Sequence, residues 1–397
     1  MKEKNDIKQE KIREHNRKKI IEALSSNQKL TRRQIAKKIN VSLPTVITIT
    51  NELMGEGIVF ESGVAGSTGG RKPGYLSFIK NSRYSFGVDF FMDHVRIILT
   101  NLKSEILEDE YLNTSQPNDC EANIKKSMEE VSSCIKKIIS SRKLPEDNIL
   151  GAGFSLPGTV NDEDMILEYS PNLNIMDIDF KDYRDMFGFP IFIENDANLS
   201  AFAETKLGIA KKKQDLAYIF VTKGIGVGII IGGRIYRGHN KRAGEFGHMI
   251  IDLQGRECLI CGKRGCWNSY VSRDALISDF NDTSGARIKS VNEFMELLRS
   301  GNNAAGEVLD RYIYFLSVGL FNLITAIDPY YIVIGGEIAQ LDKFLLEPLI
   351  EKILFKNFFL NREDIKILFS KLKEDAPVLG ASLLPLKDFL YIDEDII

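Results

Sequence analysis

The sequence predicts an α/β protein in which a winged helix-turn-helix head, residues 1–80, precedes a body of two α/β lobes, residues 81–397. Three observations predict it. Charge divides sharply along the chain: residues 1–80 hold 16 Lys plus Arg against 8 Asp plus Glu, and the remainder holds 36 against 47. The head carries two short helical patterns joined by a tight turn. In the body, a series of strands followed by a helix and another strand starts near residue 84 and starts again at residue 216. A length of 397 residues with 44% hydrophobic content suits two or three globular units with real cores.

In the head, Ile20, Ile21 and Leu24 recur at helical spacing over residues 16–24. Thr31 with Gln34 three residues on forms a capping-box signature, and Ile35, Ala36 and Ile39 give that second helix a buried face. Ser42 is a good N-cap, Pro44 fits the first turn, and Val46, Ile49 and Leu53 form the buried stripe of a third helix. Its outward face offers hydroxyls and an amide, Thr45, Thr48 and Asn51, which suit base edges and phosphates in a major groove. A Gly-rich turn at residues 63–70 then presents Arg71 and Lys72 before a strand at 75–78, which reads as a wing whose cations meet phosphates or a narrow minor groove. The DNA-facing set is Arg32, Arg33, Ser42, Pro44, Thr45, Thr48, Asn51, Arg71 and Lys72. A basic head on an acidic body points to a polyanionic partner, here DNA.

The body opens with strands at 84–91, 95–102 and 105–113, a helix at 122–141 and a strand at 149–155. Its second series has strands at 216–222, 227–231 and 233–236, a long helix at 307–327 and a strand at 331–334. The start of the chain is polar, so no secretory signal is expected. The longest apolar run, near residues 314–327, is expected to be too short for a bilayer. The expected setting is the cytoplasm, without a membrane, where cysteines hold metal more often than they pair.

Residues 244–272 carry Glu245, His248 and three of the five cysteines, Cys258, Cys261 and Cys266. One imidazole and three thiolates match a closed tetrahedral zinc site in number and softness, so a structural Zn2+ is expected on His248, Cys258, Cys261 and Cys266. Cys120 and Cys134 lie far away in sequence and read as incidental. Trp267, the lone tryptophan, either packs this knuckle or offers a face for stacking.

The knuckle resembles the signature of the ROK family (repressors, open reading frames and sugar kinases). So do Leu156-Pro157-Gly158, Pro171-Asn172-Leu173, Glu194-Asn195-Asp196-Ala197-Asn198, Gly224 to Gly228, Ile332 to Gly336 and the Gly-Gly-Arg-Lys-Pro wing. The resemblance spans nearly the whole chain. It implies an actin-like ATPase/sugar kinase fold, with sugar hydroxyls bound by Asn195, Asp196, Glu245 and His248. In that scheme His248 turns one ring nitrogen to zinc and the other to the sugar. Two departures stand out. Cys258 and Cys261 are spaced C-x-x-C where the family usually has C-x-C. Cys266-Trp267-Asn268 puts an amide where the family commonly has a sugar-binding Glu. Asn268 donates and accepts without charge.

The family's kinases carry Asp-x-Gly-x-Thr in the first hairpin, where glycines let the backbone approach phosphates. Here that hairpin reads Asp89-Phe90-Phe91-Met92-Asp93-His94, which brings bulk and negative charge. The expectation is therefore a non-enzymatic, sugar-responsive repressor of carbohydrate-utilisation genes, resembling the xylose-repressor branch. It would be a homodimer or homotetramer on operator DNA. The competing readings are a sugar kinase with an added DNA-binding head and a DNA-binding scaffold with a dead pocket.

Overall fold

A computed structural model describes residues 2–27, 29–64, 74–91, 94–113, 120–171, 173–211, 213–356 and 359–390. Arg71 and Lys72, with the rest of the wing tip, lie outside the described residues, as do Met92, Asp93 and Asn172.

The head contains helices Lys2–Ser25, Arg32–Ile39 and Leu43–Gly55, the first starting well before the periodic segment at 16–24. Thr31 closes the expected capping box with Gln34, and Ser42 caps the third helix by accepting from the Thr45 amide. Strands Val59–Val64 and Gly74–Phe78 pair antiparallel as the wing, and Leu30–Thr31 adds a third edge. Ile20, Ile21, Leu24, Ile35, Val46, Ile49, Leu53 and Leu76 are buried together. The apolar stripes read from spacing are the ones that pack.

The body holds two five-stranded sheets with one plan. In the first, the order is Ile191–Asn195, Ile149–Leu156, Tyr84–Phe90, His94–Asn101, Ile106–Asn113. In the second it is Lys366–Phe369, Tyr331–Gly336, Leu216–Val221, Ile225–Ile231, Arg234–Ile235. Each sheet starts as an antiparallel meander and continues with two strands parallel to its first strand. A small sheet of Thr159–Asn161, Ile166–Ser170 and Ile175–Asp179 is appended to the first lobe.

Two helices join the lobes. Helix Asp196–Lys206 leaves the first sheet and packs Ala197 and Ala201 among Leu216, Tyr218 and Phe220 of the second. The approach is close enough that a Cβ on Gly228 would collide with the Ala197 carbonyl. Helix Ala376–Leu390 follows the last strand of the second sheet and returns to the first lobe, where its Val378 and Leu379 bury with Ile98 and Ala203. Its far end joins the head: Leu383, Leu386 and Leu390 share one core with Ile20, Ile21 and Leu24. Arg17 lies over the Phe389 ring, 5.6 Å from its centroid.

Helix Asn303–Ile327 is long and apolar enough to cross a bilayer, which corrects the expectation of too short a run. It serves as a core helix instead, with Val308, Ile313, Leu316, Leu320 and Leu323 buried in the second lobe. Leu345, Leu349 and Ile353 of helix Asp342–Leu354 pack into the same core.

Candidate functional site

Asp89, Ser155 and Glu194 stand in register across the parallel strands of the first sheet, at or near their carboxyl ends. Open α/β sheets bind ligands in the crevice at these ends. Glu194 is 1% exposed and fully engaged. Its Oε1 accepts from the Asn195 amide at 2.9 Å and from Asn198 Nδ2 at 3.0 Å. Its Oε2 accepts from Arg237 Nε at 2.7 Å, and Arg237 follows the meander strand Arg234–Ile235 of the other lobe. Burial raises the Glu194 carboxyl while the Arg237 charge opposes it. Arg237 also pairs with Asp162 at 3.2 Å, so one guanidinium ties both lobes beside the cleft.

Glu194 thereby positions the next two residues. Asn195 caps helix Asp196–Lys206 by accepting from the Asn198 amide at 3.0 Å, and its Nδ2 donates to Gly158 O at 2.9 Å and to Asp196 Oδ1 at 3.0 Å. Asn195 is therefore the N-cap of this helix. Burial pushes Asp196 up to about 7, and the charge of Glu245 adds to the shift. Burial pushes Asp89 up to about 7 as well, opposed by the Ser155 hydroxyl and reinforced by Asp196. Glu245, exposed to solvent, opens the turn Glu245–His248 from the opposite lobe. Gly244 precedes it at φ 101, where a Cβ would collide with the Val227 carbonyl, so glycine is required there. Asn268 is buried and borders the Gly224 turn.

Asp89 Oδ2 and Asn268 Oδ1 are buried without a hydrogen-bond partner among the described residues. An orphaned buried acceptor costs about 1–3 kcal/mol, so a hydroxyl donor that reached either atom would relieve that cost.

His248, Cys258, Cys261 and Cys266 bring one ligand atom each to within 4.8 Å of one another. The Cys258 Sγ to His248 Nδ1 distance is 3.8 Å and Cys261 Sγ to Cys266 Sγ is 3.5 Å. Tetrahedral Zn–S bonds of about 2.3 Å give edges of about 3.8 Å, so this donor set fits a metal ion. The C-x-x-C spacing does not prevent it, because the added residue leaves Leu259 extruded at 99% exposure. Trp267 is fully buried and donates from Nε1 to Phe315 O at 3.0 Å. It packs the knuckle; no face is left for stacking. Cys134 is half-buried in the first-lobe core, apart from this cluster.

The hairpin after Asp89 closes on itself. Phe91 stacks on His94 with centroids 4.3 Å apart, and Tyr111 tilts against His94 at 5.6 Å. The rings of Phe91, His94 and Tyr111 thus gather at the end of this hairpin.

On the head, Arg33, Ser42, Pro44, Thr48 and Asn51 are exposed and Thr45 is half-buried. Several are locally engaged: Thr45 Oγ1 shares a hydrogen bond with Ser42 Oγ at 2.7 Å, and Thr48 Oγ1 donates to Pro44 O at 3.2 Å. Arg32 donates to Thr50 Oγ1 and Asn51 Oδ1 at 3.0 Å and pairs with Glu61 at 2.9 Å. It braces the third helix against the wing. Sequence reasoning passed over Ile47, 41% exposed on the same face as Thr48 and Asn51. Its signal was available, since Ile47 stands off the Val46, Ile49, Leu53 stripe. It also passed over Arg237, whose partner Glu194 is 43 residues away and left no local pattern.

Comparison with known proteins places these features. The profile of the ROK family matches residues 85–388, and a winged helix-turn-helix DNA-binding profile matches residues 13–59. The xylose repressor of Bacillus subtilis (strain 168) is 30% identical over 382 residues, covering 96% of this chain and 97% of the relative. The N-acetylglucosamine repressor of Escherichia coli O157:H7 is 27% identical over 82% of this chain and 80% of its own. Among solved structures, a ROK family transcriptional regulator, a homolog of the E. coli MLC protein, superposes with a TM-score of 0.81 at 22% identity, covering 96% of this chain and 98% of that one. A ROK family glucokinase from Streptomyces griseus, in complex with glucose and AMPPNP, superposes at 0.64 with 24% identity, covering 76% of this chain and 98% of the kinase. The kinase therefore shares the body of the fold.

Proposed function

The chain belongs to the ROK family, and from that premise we propose that it is a sugar-responsive transcriptional repressor that binds operator DNA through its head and a sugar in the cleft of its body. Asn195, Asp196, Glu245, His248 and Asn268 would hold the hydroxyls of one sugar ring, with a xylose unit the first candidate given the relatives. His248, Cys258, Cys261 and Cys266 would hold a structural zinc, which when bound fixes the His248 ring and staples the knuckle. Ser42, Pro44, Thr45, Thr48 and Asn51 would face the major groove, with Arg33, Arg71 and Lys72 on phosphates and Arg32 bracing the third helix. We place the protein in the cytoplasm as a homodimer or homotetramer, two heads matching two half-sites.

One observation carries the reading. Helix Asp196–Lys206, capped at the cleft by Asn195, crosses helix Ala376–Leu390 so closely that a Cβ on Gly380 would collide with the Leu199 carbonyl. The second helix ends inside the core of the head. A shift of the cleft on sugar binding therefore reaches the DNA-binding helices through two packed helices. The ring stack of Phe91 on His94 favours this reading over a kinase, because phosphoryl transfer needs a backbone cradle for phosphate.

The test is a gel shift on the DNA upstream of the protein's own gene, with a panel of sugars and with MgATP. Release of the operator by one sugar without ATP consumption is the expected result. ATP turnover with that sugar would make the protein a kinase, and indifference to every sugar would leave a DNA-binding scaffold. Ile47 sharpens the DNA side. Ile47→Ser weakens operator binding by on the order of 1 kcal/mol through lost apolar contact with a base edge, and leaves sugar binding untouched.

A further inference from the structure

A cavity of about 600 Å³ lies against the cleft, lined by Thr159, Ile166, Glu168, Tyr169, Asp177 and Arg242. Three connections set it beside the proposed sugar site. Thr159 directly follows Gly158, whose carbonyl accepts from Asn195 Nδ2 at 2.9 Å. Tyr169 pairs with Thr159 across the small hairpin, and its backbone carbonyl lies against Gly158. Arg242 stands three residues before Glu245, and its charge acts on that carboxyl.

The lining has the chemistry of a sugar subsite. Tyr169 is 45% exposed, so an aromatic face is open to a ligand. Around it stand a hydroxyl, two carboxylates and a guanidinium, which can accept from and donate to ring hydroxyls. Pyranose rings present just this combination of a C–H face and a polar rim. The cavity is bounded by both lobes: Glu168 from the first meets Arg242 from the second at 3.4 Å, a long pair between exposed and half-buried groups. A ring seated there would touch both sides of the cleft.

We propose that this cavity is a second sugar subsite and that the effector is a neutral disaccharide. One ring would occupy the Asn195, Asp196, Glu245 cleft, and the other would lie on Tyr169. The inference rests on the sugar-sensing reading above and extends it to the size of the ligand.

The test is calorimetric titration of the full-length protein with D-xylose, β-1,4-xylobiose, D-glucose and cellobiose, using wild type, Tyr169→Ala and Glu168→Gln. The expected result is one disaccharide binding about tenfold tighter than its own monosaccharide, the scale of one aromatic contact. Tyr169→Ala erases that difference and leaves monosaccharide affinity unchanged; Glu168→Gln narrows it. Monosaccharide binding with no disaccharide gain overturns the second subsite alone. A Tyr169→Ala variant that loses both ligands equally also overturns it. No heat from any of the four sugars overturns the sugar-sensing reading and this inference together.

Discussion

The two lobes repeat one strand order, yet they finish their first hairpins differently. In the first lobe, the antiparallel pair ends at Phe90 and Val95, and Phe91 stacks on His94 beyond it. In the second, the pair ends at Val221 and Ile225, and the turn between them contains Gly224 beside Asn268, whose Oδ1 has no partner among the described residues. One hairpin ends in a cluster of rings and the other in a glycine turn beside a buried amide. The difference shows that two lobes with one strand order can end equivalent hairpins in different chemistry, aromatic in one and small and polar in the other.

The largest effect should come from the support of the second hairpin. If the Gly244 to Cys266 segment leans on a metal, Cys266→Ser and strong chelators should both empty the site and destabilise the second lobe by several kcal/mol, about the scale of a structural zinc site in part. Metal analysis of the purified protein with paired thermal melts checks this; full stability without metal would rule out a stabilising zinc. Trp267→Ala should cost about 3–5 kcal/mol, since the ring is fully buried against Gly319 and Phe315. Denaturant unfolding reads that cost, and a loss under about 1 kcal/mol would mean the ring does not hold the knuckle.

The cleft carboxyls give a smaller, pH-dependent effect. Asp89 and Asp196 both rise to about 7 in the folded protein, above the unfolded value near 4. The folded state therefore holds more protons, so their contribution to stability is complete below about pH 4 and is lost as pH rises through about 7. Asp89→Asn should consequently be the more stable protein at pH 8, by on the order of 1–3 kcal/mol, with the gap closing towards pH 4. Melting curves across that range decide it, and a gap that widens in acid would show that burial does not govern the Asp89 carboxyl. Smallest of all, Phe91→Gly should cost about 1 kcal/mol by removing the stack on His94. It should not create ATP binding, because one glycine does not restore the missing phosphate cradle.

Much of this was legible in the sequence wherever the cause is local. The capping box at Thr31, the Ser42 cap and the Val46, Ile49, Leu53 stripe are short-range physics, and the head was readable from them. The knuckle was readable because four soft ligands within 19 residues, His248 to Cys266, rarely gather for packing alone. The helix at 307–327 was also legible, but its apolar length was underestimated, because Asn303–Ile327 is long and apolar enough for a bilayer and yet lies in the second-lobe core. What stayed hidden was long-range. The Arg237–Glu194 tie, the crossing at Gly380 and the insertion of Leu383, Leu386 and Leu390 into the head join residues that only the folded chain brings together.

Reciprocity tests the link between cleft and head most directly. The measurement is calorimetric titration of the effector sugar into the protein, free and saturated with operator DNA. If cleft and head are coupled as the two crossed helices imply, operator-bound protein should bind the sugar at least about fivefold more weakly than free protein, the low end of typical coupling. Identical affinities in the two titrations would contradict that coupling, because a sugar that ignores the operator cannot release it.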